Sequence, residues 1–211
     1  MIDLHSHSTI SDGTDPPARV VELAADAGVS ALALTDHDTL EHLPEARSAA
    51  GSAGVRLVPG CEISCDLAGR APGSMHLLVF FVDDADGELQ DRLRALQAAR
   101  NERNVQIVEA LNAHGIPITV EAVQAHAGPG SVGRPHIARV LMEERYVSSI
   151  QEAFDTWLAK GRPAYFERDR LAPEEAIELT HASGGVCAVA HPTSLGLADG
   201  ELDELIGALR G

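Results

Sequence analysis

Short apolar segments alternate with amphipathic helical patterns in the first third of the chain. In order, they read "IDLHSH", "PPARVVELAADAG", "ALALTDHD", "LEHLPEARSAAGSAG" and "RLVPGCEIS". Consecutive strands that are joined by a helix pair in parallel, because the chain crosses back over the sheet before the next strand begins. The pattern therefore predicts an α/β fold with parallel strands, either a barrel or a doubly wound sheet. The segment "MHLLVFFVD" at 75–83 predicts a fourth strand.

The strand pattern stops near residue 86 and returns after residue 165. The residues between them form successive helical patterns, "LQDRLRALQAARNERNVQIVEALNAHG", "TVEAVQAHAG", "RPHIARVLMEERYV" and "SIQEAFDTWLAKG". The helix "APEEAIELTHASGG" and the strand "VCAVAHP" then restore the alternation. The sequence thus predicts three segments: the first part of the α/β unit at 1–85, an all-helical insertion at 86–165, and the continuation of the α/β unit at 166–211.

Composition and charge exclude several classes of protein. A net charge of −16 argues against binding to duplex DNA, which depends on many lysine and arginine contacts to phosphates. The chain has neither an apolar run long enough for a membrane span nor the layout of a secretory signal, so we expect a cytoplasmic protein without membrane partners. The three cysteines lack the close-spaced pairs of a zinc site and are expected to be free thiols.

Ionisable side chains recur where the predicted strands begin or end. Two residues apart on a strand, His5 and His7 share one face. Parallel α/β folds gather their active sites at the carboxyl edge of the sheet. Imidazole and carboxylate are ligands that zinc, manganese and iron share, and several strand ends that offer both favour a metal site over packing. The residues at these edges are His5, His7, His37, Glu62, His76 and His191.

The other histidines lie on helical or loop patterns. We expect solvated or capping roles for them: His42, His114, His126 and His181. Two aspartates that flank His37 have two interpretations. Asp36 and Asp38 either orient the imidazole as hydrogen-bond acceptors or cap the turn, and neither enters the predicted site.

Five ordered motifs resemble the polymerase and histidinol phosphatase (PHP) family of metal-dependent phosphoesterases. They are "DLHSHSTISDGT", "ALTDHDT", "GCEIS", "MHLLVF" and "AVAHP". The insertion, with "GRPHIARVL" and "LAKGRPAY", is similar to the branch that acts on nucleoside 3′,5′-bisphosphates and 5′-phosphorylated short RNA. The resemblance extends from Ile2 to about His191.

The resemblance implies a distorted (β/α)7 barrel that holds three divalent metal ions. His5 and His7 would bind the first metal, and Glu62 would bridge the first and second. The remaining ligands would be His76 and His191 on the second metal, with Asp12 and His37 on the third. Mn²⁺ is the expected metal, with Zn²⁺ or Fe²⁺ as alternatives.

One family motif has no counterpart in this sequence. The family completes its cluster with a late Asp-x-His motif, and no such motif follows His191. We therefore expect a fragment that is truncated before the last strands. A natural short form with weakened metal binding is the alternative.

The expected reaction is hydrolysis of a phosphate ester by a metal-bound hydroxide. Bound metals lower the pKa of water, so no side-chain nucleophile is required, and the sequence has neither a glycine-flanked nucleophilic serine nor a P-loop. Arg134 and His136, on either side of Pro135 at a predicted helix start, are expected to bind a second phosphate of the substrate. Lys160 and Arg162 either line the cleft or lie in a solvated loop.

The predicted function is a metal-dependent phosphoesterase for small phosphorylated nucleotides or short single-stranded RNA. Two alternatives remain open on the sequence. One is a phosphatase for a small metabolite, of the histidinol phosphatase type. The other is a degenerate, non-catalytic PHP module, for which the absent terminal motif is the supporting feature.

Overall fold

The computed structural model describes residues 1–82, 84–127 and 132–209. Its strands are β1 (Ile2–Ser6), β2 (Ala31–Leu34), β3 (Arg56–Leu57), β4 (Gly60–Cys65), β5 (Met75–Phe80) and β6 (Val186–Val189). Its helices are α1 (Pro17–Asp26), α2 (Leu43–Ala53), α3 (Glu88–Ala113), α4 (Val120–Ala127), α5 (Arg134–Glu143), α6 (Ile150–Ala153), α7 (Pro173–Ala182) and α8 (Asp199–Leu209). A π-helical turn (Phe154–Leu158) follows α6, and a 3₁₀ turn (Pro192–Leu195) follows β6.

The first three strands form a parallel sheet in the order β1-β2-β3, as the helix-linked pattern predicts. Strand β1 is in register with β2 through the pairs Ile2↔Ala31 and Asp3↔Leu32, and the register shifts before Ser6. Helices α1 and α2 connect the strands and pack against the sheet around Leu32 and Leu34. The carboxyl ends of β1 and β2 therefore lie side by side, which brings together the polar residues that follow them.

The second sheet is antiparallel, and for these strands the prediction of parallel pairing is wrong. Its order is β4-β5-β6, with β5 antiparallel to both neighbours. The connection at 66–74 contains no helix, so β5 returns directly alongside β4 instead of crossing over the sheet. Strand β5 also ends at Phe80, before the predicted end at 83, a position outside the described residues.

The two sheets meet at a parallel bridge between His37 and Glu62. Within the described residues the six strands form two three-stranded sheets, and no closed barrel is present. The chain is a mixed α/β protein, while the seven-stranded barrel is not confirmed. No helix in the described ranges has the length and apolar character needed to cross a membrane. The three cysteines are free, as predicted.

Between β5 and α7 every regular element of the described chain is helical. Helix α3 links this region to the sheets, because Leu89 and Leu96 pack into the apolar core of the second sheet. Further along the same helix, Ile107 and Leu111 pack into a separate core with α4 and α5. The bounds of the three predicted segments stay a prediction.

Two glycines permit close backbone contacts beside the strand ends. A Cβ atom at Gly60 would lie 2.1 Å from the carbonyl oxygen of Val79 on the neighbouring strand. A Cβ atom at Gly13 would lie 2.4 Å from the carbonyl oxygen of His7. Real Cβ atoms do not approach backbone oxygen so closely, so only glycine fits at these positions without a shift of the chain. Gly13 thus lets the turn after β1 fold back against the strand end.

We predict that Gly60→Ala lowers the free energy of unfolding by about 1–3 kcal/mol, the usual cost of overpacking a core. The matched control is Gly51→Ala within α2, where an added Cβ meets no atom within 4 Å. Because alanine favours a helix over glycine, this control should raise stability by about 0.5–1 kcal/mol. Urea unfolding of both variants measures the two changes. Equal effects of the same sign would contradict the proposed contact at Gly60.

Candidate metal centre and arginine pocket

Five imidazole rings surround the carboxylate of Glu62, a side chain that is almost completely buried. His76 Nδ1 lies 2.8 Å from Oε1, and His191 Nε2 lies 2.9 Å from the same oxygen. His5 Nε2 and His7 Nε2 lie 2.9 and 3.0 Å from Oε2. His37 Nδ1 is farther away, at 3.6 Å from Oε2. We call these six residues the Glu62 cluster.

Strand geometry explains why these side chains converge. His5 and His7 are two residues apart at the end of β1 and face the same side. Ser64 on β4 is directly opposite His76 on β5, so Glu62, two residues before Ser64, is the diagonal neighbour of His76 on that face. His37 follows β2 and bridges to β4 beside Glu62.

His191 reaches the cluster through unusual backbone geometry. It follows β6 with φ 28° and ψ 63°, a left-handed conformation that is uncommon outside glycine. Such strained residues persist where the surrounding structure holds them, and they concentrate at functional sites. Asp38, next to His37, is also left-handed with φ 57°. One strained residue, His191, therefore lies in the cluster and another, Asp38, lies next to it.

Asp12 extends the cluster toward His7 and His37. Its Oδ1 lies 3.4 Å from His7 Nδ1, and its Oδ2 lies 3.6 Å from His37 Nε2. The structure thus brings together all seven predicted ligands: His5, His7, Asp12, His37, Glu62, His76 and His191.

Charge in the cluster is tightly coupled. The hydrogen bond and positive charge of His37 lower the pKa of Asp12 against the opposing effect of burial. Burial works to raise the pKa of Glu62, but hydrogen bonds from His7 and His76 and nearby imidazoles outweigh it and lower that pKa well below its usual value. Burial works to lower the pKa of His7, while Glu62 and Asp12 raise it above the ordinary value. Both carboxylates are therefore ionised at neutral pH.

Among the described residues, two overlapping sets of donor atoms are close enough to share a cation. His5, Glu62 and His191 form one set, and His7, His37 and Glu62 form the other, with all atoms of each set within 4.8 Å. These sets divide the residues differently from the predicted pairs on individual metals. The assignment of each ligand to one metal stays a prediction.

His42 agrees with the sequence expectation only by position. It is the N-cap residue of α2, but its side chain makes no capping hydrogen bond and is fully buried instead of solvated, with Nδ1 3.1 Å from Asp36 Oδ2. Asp36 also accepts hydrogen bonds from the backbone N–H of Ser8 at 2.8 Å and from the Ser11 hydroxyl at 2.7 Å. Burial works to raise the pKa of Asp36, but hydrogen bonds from His42 and the serines lower it. Asp36 thus anchors the turn that carries Asp12.

A cavity of about 250 Å³ opens beside the cluster, where Asp12, His37 and His76 form part of its wall. Five arginines form much of the remaining wall: Arg100, Arg103, Arg134, Arg168 and Arg170. Five guanidinium groups around one cavity are unexpected in a chain with a net charge of −16. We call this cavity the arginine pocket.

Asp38 connects the arginine pocket to the cluster. Its fully buried carboxylate pairs with Arg100 on α3 and with Arg168 Nη2 at 2.9 Å. It also accepts a hydrogen bond from the backbone N–H of Ser64 at 2.8 Å. Burial works to raise the pKa of Asp38, but the two arginines and Ser64 lower it to about 2. One carboxylate therefore ties three separate parts of the chain together.

The other arginines of the pocket have fewer partners. Burial and the charges of Arg168 and Arg100 lower the pKa of Arg103 to about 9. Within the described residues, the buried Nε atoms of Arg100, Arg103 and Arg170 have no hydrogen-bond partner. Like charges held close together with unmet donors are stabilised when an anion binds among them. The pocket is therefore suited to phosphate or another oxyanion.

Arg134 and His136 both line the arginine pocket, as their predicted role requires, but each already has a structural contact. Arg134 Nη1 donates to the Leu158 carbonyl at 3.2 Å, and its guanidinium lies 5.4 Å from the centre of the Tyr165 ring. Burial lowers the pKa of both residues. His136 Nδ1 accepts the backbone N–H of Gly133 at 3.0 Å and so caps the start of α5. Their role in binding phosphate stays a prediction.

Sequence reasoning missed four of the five arginines: Arg100, Arg103, Arg168 and Arg170. Arg100 and Arg103 lie on a helical pattern of mixed polarity, in which charged residues are ordinarily solvated. Their spacing of three residues places them on one helix face, but only the structure shows that this face is buried. Lys160 had two interpretations on the sequence, lining the cleft or lying in a solvated loop. Its side chain is mostly exposed, and its Nζ lies 3.7 Å from Glu167 Oε1.

Comparison with known proteins identifies the family of the chain. A family model described as "PHP domain" matches residues 3–206. The chain therefore belongs to the PHP domain family, which confirms the resemblance drawn from the five motifs.

Individual relatives agree with this result. The chain is similar to a 5′-3′ exoribonuclease of Haemophilus influenzae, with 37% identity over 90% of this chain and 68% of the relative. It is similar to a 3′,5′-nucleoside bisphosphate phosphatase of Chromobacterium violaceum, with 33% identity over 90% of this chain and 66% of the relative. A crystal structure from Bifidobacterium adolescentis, described as a candidate metal-dependent phosphoesterase, matches with a TM-score of 0.84 and 30% identity, over 97% of this chain and 73% of that one.

We predict that Asp38→Asn destabilises the fold by about 3–5 kcal/mol, because two buried arginines lose their anion. The pKa of Asp38 is lowered in the folded state, so its contribution is present above a pH of about 4 and is lost as the pH falls toward 2. The variant should therefore lose stability at neutral pH and show a smaller further loss in acid. Denaturant unfolding at several pH values measures both effects.

Asp84→Asn is the matched control, since Asp84 pairs with Arg47 at the surface. Exposed ion pairs contribute about 0–1 kcal/mol, so this variant should change stability little. A loss of similar size in the two variants would contradict the anchoring role of Asp38.

Proposed function

We propose that this chain hydrolyses phosphate esters of nucleotides with the help of divalent cations, and that nucleoside 3′,5′-bisphosphates are its substrates. The observation that carries the proposal is the position of the arginine pocket beside the Glu62 cluster. The Glu62 cluster suits cations that would bind one phosphate, and the arginine pocket suits a phosphate directly. A substrate with two phosphates has one phosphate for each.

The residues of the cluster fit divalent cations. Imidazoles and carboxylates are ligands that Mn²⁺, Fe²⁺ and Zn²⁺ accept. His37 Nδ1 is buried and has no hydrogen-bond partner among the described residues, as expected for a nitrogen that serves as a ligand. Glu62 offers two oxygens, each already facing a different pair of imidazoles.

In this proposal three divalent cations would bind at the cluster and at Asp12 beside it, with Mn²⁺ as the expected metal. His5 and His7 would hold the first, His76 and His191 would hold the second, and Glu62 would contribute to both. Asp12 and His37 would hold the third. Bound divalent cations supply an acidified water and neutralise the charge that develops on phosphate oxygens.

The protein's own groups orient the substrate. Arg103 and Arg170 line the pocket, where their guanidinium groups bind the second phosphate and hold the ester at the cluster. Arg134, stacked on Tyr165, adds a third guanidinium to this set. Since Asp38 neutralises part of the charge of Arg100 and Arg168, these two residues serve mainly to hold the pocket in shape.

The same arrangement suits 5′-phosphorylated short RNA. The first nucleotide of such an RNA carries a 5′-phosphate and a 3′-phosphodiester, so it presents the same two groups as a 3′,5′-bisphosphate. With the 5′-phosphate in the arginine pocket, the 3′-phosphodiester lies at the cluster, and hydrolysis releases a nucleoside 5′-monophosphate. A relative named as an exoribonuclease supports this second substrate.

We predict that Arg134→Ala raises KM for a nucleoside 3′,5′-bisphosphate by about 10- to 100-fold, the range for losing a charged hydrogen bond. Hydrolysis of a nucleoside 3′-monophosphate should change little, because that substrate has no second phosphate. Phosphate release with added Mn²⁺, Zn²⁺ or Fe²⁺ measures both reactions. Arg94→Ala is the matched control, because Arg94 is exposed and pairs with Asp86 and Asp91 at the surface.

Three outcomes would contradict the proposal in different ways. Absence of metal-dependent phosphate release with every substrate would favour a non-catalytic module. Activity on histidinol phosphate that exceeds activity on nucleotides would favour the small-metabolite phosphatase. An equal effect of Arg134→Ala on bisphosphate and monophosphate would remove the arginine pocket from substrate binding.

A further inference from the structure

We propose that Ser11 and Ser194 are positioning residues that fix which ring nitrogen of His7 and His191 carries the proton. The inference rests on the proposed function, because it concerns how these two imidazoles are presented to a cation. Each serine hydroxyl accepts a hydrogen bond from Nδ1–H of its imidazole and thereby leaves the Nε2 lone pair for the metal.

Ser11 provides the clearer case. Its hydroxyl lies 2.7 Å from Asp36 Oδ1 and 3.2 Å from His7 Nδ1. A hydroxyl has one proton, and an ionised carboxylate can only accept, so the short contact to Asp36 uses that proton. The Ser11 oxygen can then only accept from His7. The 3.2 Å contact to Asp12 Oδ1 is the longer alternative for the same proton.

Ser194 repeats the arrangement at the other side of the cluster. Its hydroxyl lies 3.2 Å from the Ser74 carbonyl oxygen and 2.9 Å from His191 Nδ1. A carbonyl oxygen also only accepts, so Ser194 donates to Ser74 and accepts from His191. The two serines come from unrelated parts of the chain, yet each joins an obligatory acceptor to an imidazole.

The position of the proton at Nδ1 determines the state of the other ring nitrogen, Nε2. A neutral imidazole has one N–H and one lone pair. With the proton held at Nδ1, the lone pair is at Nε2, the atom that lies 3.0 Å from Glu62 Oε2 in His7 and 2.9 Å from Glu62 Oε1 in His191. Partners of this kind fix the orientation of metal-binding histidines and raise their basicity.

The two serines differ in burial, and this difference predicts unequal effects. Ser11 is buried, and Asp36 behind it is held by Ser8 and the buried His42. Ser194 is exposed, so water can replace its hydroxyl. Within the described residues the rings of His5, His37 and His76 have no serine partner. These three rings serve as comparators within the same cluster.

The test uses Zn²⁺, a diamagnetic cation, bound to the protein labelled with ¹⁵N at histidine. Long-range ¹H–¹⁵N spectra report which ring nitrogen carries a proton, with resonances assigned from His7→Gln and His191→Gln. We expect a protonated Nδ1 and a Zn²⁺-bound Nε2 for both residues. We also expect Ser11→Ala to weaken Zn²⁺ affinity by about 10- to 100-fold, measured by calorimetry.

Two controls separate positioning from a general structural effect. Ser8→Ala removes another hydrogen bond to Asp36, at 2.7 Å, without touching an imidazole, so it should leave the Zn²⁺ affinity near the parent value. Ser194→Ala should weaken binding less than Ser11→Ala, and Ser194→Thr, which keeps the hydroxyl, should restore it. Urea unfolding shows whether each variant remains folded.

The outcomes distinguish this inference from the proposed function. Failure of the parent protein to bind Zn²⁺ would overturn the proposed function and this inference with it. Binding of Zn²⁺ through Nδ1 of His7 or His191 would overturn the inference alone. Equal losses of affinity in Ser11→Ala and Ser8→Ala would do the same, since the effect would then come from the support of Asp36.

Discussion

The structure depends on one buried carboxylate that requires positive or hydrogen-bonding partners. A carboxylate removed from water is unfavourable unless it is paired, and Glu62 is almost completely buried. Its partners come from β1, the end of β2, β5 and the residue after β6, so both sheets meet around it. The same contacts that offset the burial of Glu62 also collect five imidazoles at one point. The contacts that stabilise the junction between the two sheets are therefore the same contacts that form the cluster.

A second constraint is the separation of charge. The chain is strongly acidic, yet five arginines line one cavity beside the cluster. Asp38 makes this arrangement possible, because its fully buried carboxylate offsets two of the five charges and ties α3 to the sheet. Of the remaining arginines, Arg103 and Arg170 each keep a buried Nε atom without a hydrogen-bond partner among the described residues. Under the proposed function, this local positive site within a negative protein would favour small phosphorylated ligands over long polyanions, since the overall field repels the latter.

The sequence predicted the residues of the cluster better than the topology that assembles them. Strand ends with His or Glu are visible as motifs, and period-two spacing places His5 and His7 on one face. Antiparallel pairing of β4, β5 and β6 was not predicted, because the apolar pattern of a buried strand is the same in either direction. Arg100 and His42 were missed for another reason: their burial depends on a distant partner, Asp38 or Asp36, which local patterns do not show. The arginine pocket therefore depends on the packing of α3 against the sheets, which the local sequence pattern does not predict.

Crystallography of the protein soaked with Mn²⁺ tests the central claim most directly, through anomalous scattering at the manganese edge. We expect peaks at about 2.0–2.3 Å from both Glu62 oxygens and from the ring nitrogens of the surrounding histidines, the ordinary range of metal–ligand distances. Peaks confined to surface carboxylates, or none within coordination distance of Glu62, would contradict it. In that case the five imidazoles would serve only to stabilise a buried carboxylate.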